Sequence, residues 1–358
     1  DCLLSRGLGD VYKRQVVEQL TGDTNVKVVV EPIASHITKF NVKQKIVDNS
    51  WADPVDMTTG AYTDQVPAMS VTGESPLTLN LNYNSLNASE KGQLGYGWSH
   101  DFEAYLDVKS TVINVHWNPT AYSSFVDERS ATRNVNGEII DGRLVLHKPN
   151  DTGVKNYVCI SSGMSEYFMS RDENNIYTLE IPDGQKYVFD SDGKLIQIIQ
   201  PNEKTVTLEH IGNTTVITED VSGAKLVLNY NDSGLLTSVG DGNGRITSIT
   251  YENDLIKSVT NPLGETVVYT YDANNRLVTS ALDGNSPYVT NTYDEEGRVL
   301  TQDDADPDTP LSYFSYSESE NNEFIVDGID RNGNTVKYVS DGMGHLPVSY
   351  THLTLPTT

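Results

Sequence analysis

Three aspartates, Asp304, Asp306 and Asp308, alternate in the stretch Asp303 to Pro310, as the first ligands of a calcium loop do. An EF-hand loop also needs glycine at its sixth position and a bidentate glutamate at its twelfth. Counted from Asp304, those places hold Thr309 and Ser315. The stretch therefore reads as a solvated acidic insertion, with looser calcium binding as its alternative. Ser99 and His100 are a tempting nucleophile and base. Neighbours on a strand point to opposite faces, so they cannot share a proton. His36, His100, His116, His147, His210 and His345 are scattered, with neither HExxH nor zinc-finger spacing. Gly95 and Gly97 lack the strand–turn–helix setting of a phosphate loop. Trp98, Trp117 and the many tyrosines could stack on sugars. Recurrence of the tyrosines at one beat favours packing of repeat on repeat instead. No catalytic residue, cofactor site or metal site follows from these patterns.

The elements that carry these residues are hairpins. Asn261-Pro262-Leu263-Gly264 is a tight turn, with Pro262 fixing φ and Gly264 free to take φ > 0. Thr266 to Tyr271 alternates, with Val267, Tyr269 and Tyr271 on one face. Asp272 to Asn275 turns again. Asp272 can accept from the backbone two residues on, and Asn275 tolerates the left-handed region. Arg276 and Leu277 open the return strand. Tyr271 has counterparts at Phe168, Phe189, His210, Tyr230, Tyr251, Tyr293, Tyr316 and Tyr338, 20 to 23 residues apart. Phe168, His210 and Tyr316 are placed by spacing rather than by motif. Turns of the Asp-x-x-Gly type recur at Asp220–Gly223, Asp241–Gly244, Asn261–Gly264 and Asp330–Gly333, and Gly234 and Gly297 close related turns. A leucine-type residue follows the aromatic at plus six in Leu195, Leu236, Leu277 and Val299; after Tyr251 it is Leu255, at plus four. A beat of about 21 residues signals a repeat architecture whose single units must stack to be stable.

Tyr271-Asp272-x-x-Asn275-Arg276-Leu277 and Tyr293-Asp294-x-x-Gly297-Arg298 resemble the YD repeats of the RHS family. Upstream, Asp53-Pro54 through Gly60 resembles the segment that opens the RHS region of polymorphic-toxin proteins. Tyr83-Asn84-Ser85 and Gly95-Tyr96-Gly97-Trp98 resemble the two markers that follow it, with Asn82 where the family has arginine. The resemblance covers residues 53 to 346. It implies an all-β fold of serial antiparallel β-hairpins, forming a curled continuous sheet that is part of a β-cocoon shell. It further implies a secreted or cell-surface bacterial protein that encapsulates and delivers a C-terminal toxin. Its partners would be the remaining repeats and that toxin. The alternative is an adhesion module binding glycans.

The remaining sequence bounds this reading. The chain has 358 residues and a net charge of −25. That balance argues against sequence-independent binding to nucleic acid or to an anionic membrane. No apolar run approaches the length of a membrane helix. Residues 1–15 and 348–358 carry no repeat register and resemble sequencing-adapter read-through, which would make the chain an internal fragment. Cys2 falls in the first of these, leaving Cys159 with no disulfide partner. Between them lie a lead-in segment (16–52), in which Val26 to Val30 is strand-like, an N-terminal module with irregular hairpins (53–166), and the repeats (167–347). Within the module, Leu77, Leu79, Leu81 and Tyr83 share a face, and Asn136-Gly137 signals a type I′ turn.

Overall fold

The structure is a computed structural model. It describes residues 54–72, 76–109, 112–119, 121–127, 155–161, 166–303, 311–321 and 323–340. It also describes the backbone of the strands Val16–Gln19, Asn25–Val29, Ser50–Trp51, Ala131–Arg133, Ile139–Gly142 and Val348–His352. Asp53, the acidic stretch Asp304–Asp308, His36, His147, His345 and the Asn136-Gly137 turn lie outside the described residues. So do residues 1–15 and 353–358. The described residues are almost all strand or turn, with one short 3₁₀ turn at Ser85–Asn87.

The chain forms two compact units, Thr63–Tyr288, and Asp1–Tyr62 with Val289–Thr358. In the first, the strands Thr63–Val71, Leu77–Asn84 and Trp98–His100 make a small antiparallel sheet. Leu77, Leu79, Leu81 and Tyr83 are all buried, and the residues between them are half-buried. A two-residue period with one apolar face dictates that pattern. At Tyr105–Val108 the chain enters a serial sheet. From there to Leu277–Leu282, consecutive strands pair antiparallel, with the hairpin Ala131–Arg133/Ile139–Gly142 set apart. Serial pairing thus starts well before residue 167, where the aromatic beat begins. The early strands lack the YD turn, yet Ile113 and Val115 alternate inward with Asn114 and His116, and alternation is all that pairing requires.

The second unit continues the same local plan. Val289–Tyr293 pairs with Val299–Asp303, and Ser312–Glu318 with Phe324–Ile329, which pairs with Thr335–Ser340. Val348–His352 forms a strand on Thr335–Val339 and is followed in space by Asn25–Val29 and Val16–Gln19. Those strands include residues from the segment without repeat register.

The turns follow one chemistry. The Oδ1 of Asp272 accepts from the N–H of Asn274 and of Arg276, each at 2.9 Å, and its Oδ2 accepts from Arg276 Nε at 2.7 Å. Asp241, Asp294 and Asp330 bind the residues two and four ahead in the same way. Asn231 and Asn261 do so through their amide oxygens. The fourth residue of each turn has positive φ: Gly234 at 76°, Gly264 at 87°, Asn275 at 63° and Gly297 at 88°. Two expectations need correction. At 219–224 the turn is opened by Glu219, whose carboxylate accepts from Val221 and Ser222, while Asp220 turns aside to bind Thr205 and Thr207. After Tyr251, the residue opposite the ring is Ile256, not Leu255. Asn253 and Asp254 both take positive φ, at 53° and 62°. This is the type I′ geometry of a two-residue loop, which places Glu252 opposite Leu255 and moves the leucine-type role one residue on.

Candidate functional site

The recurring site of this chain is a bulge beside the aromatic residue of five repeats. At Phe189, Tyr230, Tyr251, Tyr271 and Tyr293 the pairing slips by one residue. Thr270 faces Thr279, but Tyr271 faces Leu277, so Val278 has no partner across the hairpin. A bulge of this kind bends its strand and takes backbone groups out of the ladder. Leu195, Leu236, Ile256, Leu277 and Val299, the residues brought opposite the rings, are at most 2% exposed.

The carbonyl of that residue is taken by the next repeat. Tyr251 Oη donates to the oxygen of Leu236 at 2.6 Å, and Tyr271 Oη to that of Ile256 at 2.9 Å. His210 Nε2 bonds the Leu195 oxygen at 2.8 Å, so an imidazole does the work of a phenol. In the second unit, Tyr316 Oη donates to Val299 O at 2.5 Å. Burial pushes the phenols of Tyr251, Tyr271 and Tyr316 above their ordinary range. They are donors to backbone, not hydroxyls turned to water. His210 and Tyr316, placed by spacing alone, hold this role fully.

The N–H of the same residue is taken by the segment upstream of the serial sheet. In the first unit, Leu236 N–H donates to Gln93 O and Leu277 N–H to Tyr83 Oη, both at 2.8 Å. Between them, Tyr96 N–H donates to Asp254 O at 3.3 Å, and Lys91 Nζ pairs with the Asp254 carboxylate at 2.8 Å. Thr247 Oγ1 and Arg245 donate to the Ala68 and Ser70 carbonyls. Pro67 lies in the same strand, and an edge strand is the place a sheet tolerates proline. Leu106 N–H reaches back to Gly193 O at 2.8 Å. In the second unit, Val299 N–H donates to Gly60 O at 2.9 Å, and Ala61 bridges to Arg298.

The upstream markers are the residues that allow such close approach. Gly95 has φ +82°, and a Cβ there would lie 2.0 Å from Asp254 O. Gly60 has φ +77°, and its Cβ would meet the Tyr316 ring and Arg298 Cβ below 3 Å. Gly97, also at positive φ, lies against the Tyr83 ring. Asn84 caps the 3₁₀ turn by accepting from Leu86 N–H, and Ser85 is buried within it. Pro54 precedes the short strand Val55–Asp56, and Asp56 opens the turn that leads to Gly60, its Oδ1 accepting from Thr58 N–H. Trp98 is 1% exposed. It packs between Tyr83 and Tyr269, with ring centroids 5.2 Å from each, and donates through Nε1 to Tyr271 Oη at 3.0 Å.

Other candidates fall apart as chemistry. Ser99 Oγ bonds Asn82 O, whereas His100 Nε2 pairs with Gln93 Oε1 and its Nδ1 accepts from Phe102 N–H. Burial pushes His100 down to about 3, so it is neutral at physiological pH. Trp98 and Trp117 are both buried and offer no face to a sugar. Among the described residues, no group of three or more His, Cys, Asp or Glu side chains is placed to hold a metal. Cys159 is buried, and burial pushes its thiol up to about 11. Tyr230 N–H donates to Asn213 O at 2.8 Å. In the second unit Asp294 holds Arg298 through Nε at 2.6 Å, and the guanidinium lies 4.6 Å over the Tyr316 ring. Tyr338 pairs with Val326. The bulge and its two exits were missed in the sequence reading.

Residues 52–124 match a family described as a domain of unknown function, DUF6531, and residues 251–287 match the RHS repeat. Over 289 residues the chain is 25% identical to the double-stranded DNA deaminase toxin A of Burkholderia cenocepacia (strain H111). That alignment covers 72% of this chain and 18% of the toxin. Among solved structures, the TcdB2–TccC3–TEV crystal structure aligns with 76% of this chain and 17% of its own, at 9% identity and a TM-score of 0.27. The Photorhabdus luminescens Tc holotoxin pore, with a TccC3 variant, aligns with 80% and 15%, at 14% identity and a TM-score of 0.27. The chain thus spans less than a fifth of the length of these relatives. The chain carries a segment that matches the DUF6531 model and, after it, a segment that matches the RHS repeat.

Proposed function

We propose that this chain is a length of shell wall from a secreted bacterial protein that encloses a toxin and delivers it. One observation carries the reading: at His210, Tyr251 and Tyr271, and again at Tyr316 in the second unit, a phenol or imidazole fastens a repeat to the one before it by bonding the carbonyl opposite the previous ring. Such a bond repeats without limit, so strands add in order and the wall lengthens one hairpin at a time. Recurring bulges favour curvature of that wall. The module ahead of the repeats is a fitted piece on one face, holding bulges at a fixed spacing. In this role the chain does no chemistry, and the toxin is a separate domain of a longer protein. The relative named a deaminase toxin supports that association.

The test is made on the longer protein that contains this segment, by limited proteolysis and electron microscopy. Enclosure predicts a hollow particle in which the toxin domain resists a protease that digests it when free. A toxin domain cut at the same rate with and without the repeats would refute enclosure.

A further inference from the structure

Two carboxyl groups of the upstream module, Glu103 buried and Asp64 half-buried, face groups of the serial sheet and have no ion-pair partner among the described residues. Asp64 is half-buried on the strand Thr63–Val71, directly across from Tyr83. From the repeats, Tyr269 and Tyr271 lie close enough for its charge to act on them, as does Tyr288. Tyr269 is buried with no hydrogen-bond partner for its hydroxyl among the described residues, and its cross-strand partner Ser280 is buried beside Tyr288. The groups that face Asp64 from the repeats are therefore phenols, which stabilise a charge poorly, and the one bond that favours its ionised form comes from the Gln65 backbone. Glu103 is 5% exposed, and its buried carboxyl oxygens have no well-formed hydrogen bond among the described residues, the backbone of His100 being the one group that favours the ionised form. The groups that face it are Asp101 and the neutral His100 from its own segment, Tyr105 from the next strand, and Tyr230 from the repeats.

We propose that seating of this module on the repeats is proton-linked: Asp64 and Glu103 bind protons when the module packs, so acid tightens it and alkali loosens it. The direction follows from burial. Burial pushes Asp64 up to about 6 and Glu103 well above the usual carboxylate range, with the charge of Asp101 adding to the latter. The folded state then holds protons that the unfolded chain releases. For Asp64 this stability is complete below about 4, the ordinary carboxylate value. It is lost as pH rises through about 6. A container built this way would hold its fitted piece firmly in an acidic compartment and less firmly in a neutral one.

The experiment compares urea unfolding of the whole chain with that of Asp64→Asn and Glu103→Gln between pH 4 and 8. Repulsion from the net charge affects all three alike, so the differences carry the test. The unfolding equilibrium of the wild type relative to Asp64→Asn is expected to change by up to about a hundredfold between pH 4 and 7, in favour of the variant at the higher pH. Glu103→Gln should gain on the wild type over a higher range. A difference that stays constant with pH would overturn the proposal, since a purely structural loss does not titrate. Should a variant fail to fold, carboxyl-carbon NMR of the wild type decides. An aspartate titrating near 6 supports the proposal, and all aspartates titrating below about 4.5 would overturn it.

Discussion

Removing one oxygen, in Tyr271→Phe, tests the repeat-to-repeat fastening most economically. The ring stays, so its packing against Trp98 and the hairpin is kept. What goes is a hydroxyl that donates to Ile256 O at 2.9 Å and accepts from Trp98 Nε1 at 3.0 Å. Trp98 is 1% exposed and Ile256 0%, so water cannot readily replace either bond. An orphaned buried polar group costs about 1–3 kcal/mol, and two are created here. Local relaxation recovers some of this, leaving an expected loss of about 2–4 kcal/mol. Urea unfolding of the whole chain, followed by circular dichroism, gives the number. A control at Tyr313, which is 49% exposed, should change stability by less than about 0.5 kcal/mol. A cycle with Trp98→Phe should show coupling of about 0.5–3 kcal/mol, since the two side chains share a bond. If Tyr271→Phe were as silent as Tyr313→Phe, the phenol–carbonyl bond would not be holding repeats together.

Other positions give sharper contrasts. Gly95→Ala places a Cβ 2.0 Å from Asp254 O, whereas Gly264→Ala, at a similar φ, meets nothing within 4 Å. The second should cost about 1 kcal/mol, from backbone strain alone; the first should cost several times that in the same unfolding assay, by forcing the module away from the repeat. Asp272→Ala removes the acceptor for two backbone N–H groups and Arg276, and should cost about 1–3 kcal/mol. Asp272→Asn keeps an oxygen for the backbone and should recover most of that loss. In the second unit, Gly60→Val must displace the Tyr316 ring and should release Val299 N–H, seen as faster amide exchange at that residue.

Much of this was legible because the repeat is written in turn residues. Gly264, Asn275 and Asp272 take the positive φ values and the i+2 acceptance that their types favour. The alternation from Leu77 to Tyr83 predicted its buried face. What did not show was the bulge. A residue without a cross-strand partner leaves no mark on composition, and Val278 looks like any other strand valine. The start of the serial sheet at Tyr105 was also hidden, because hairpins without the YD turn obey the same pairing rules. The sharing of one backbone position between two neighbours depends on contacts 15 or more residues apart. A local motif holds no record of them.

Amide hydrogen exchange at Leu236 and Leu277 probes the central claim most directly. Each N–H is held from upstream, by Gln93 O and Tyr83 Oη. Exchange as slow as at the buried strand residues Leu228 and Ile249, in the intact chain, is the predicted result. Exchange at the rate of exposed turn amides such as Leu263 would contradict the seating of the module on the bulges.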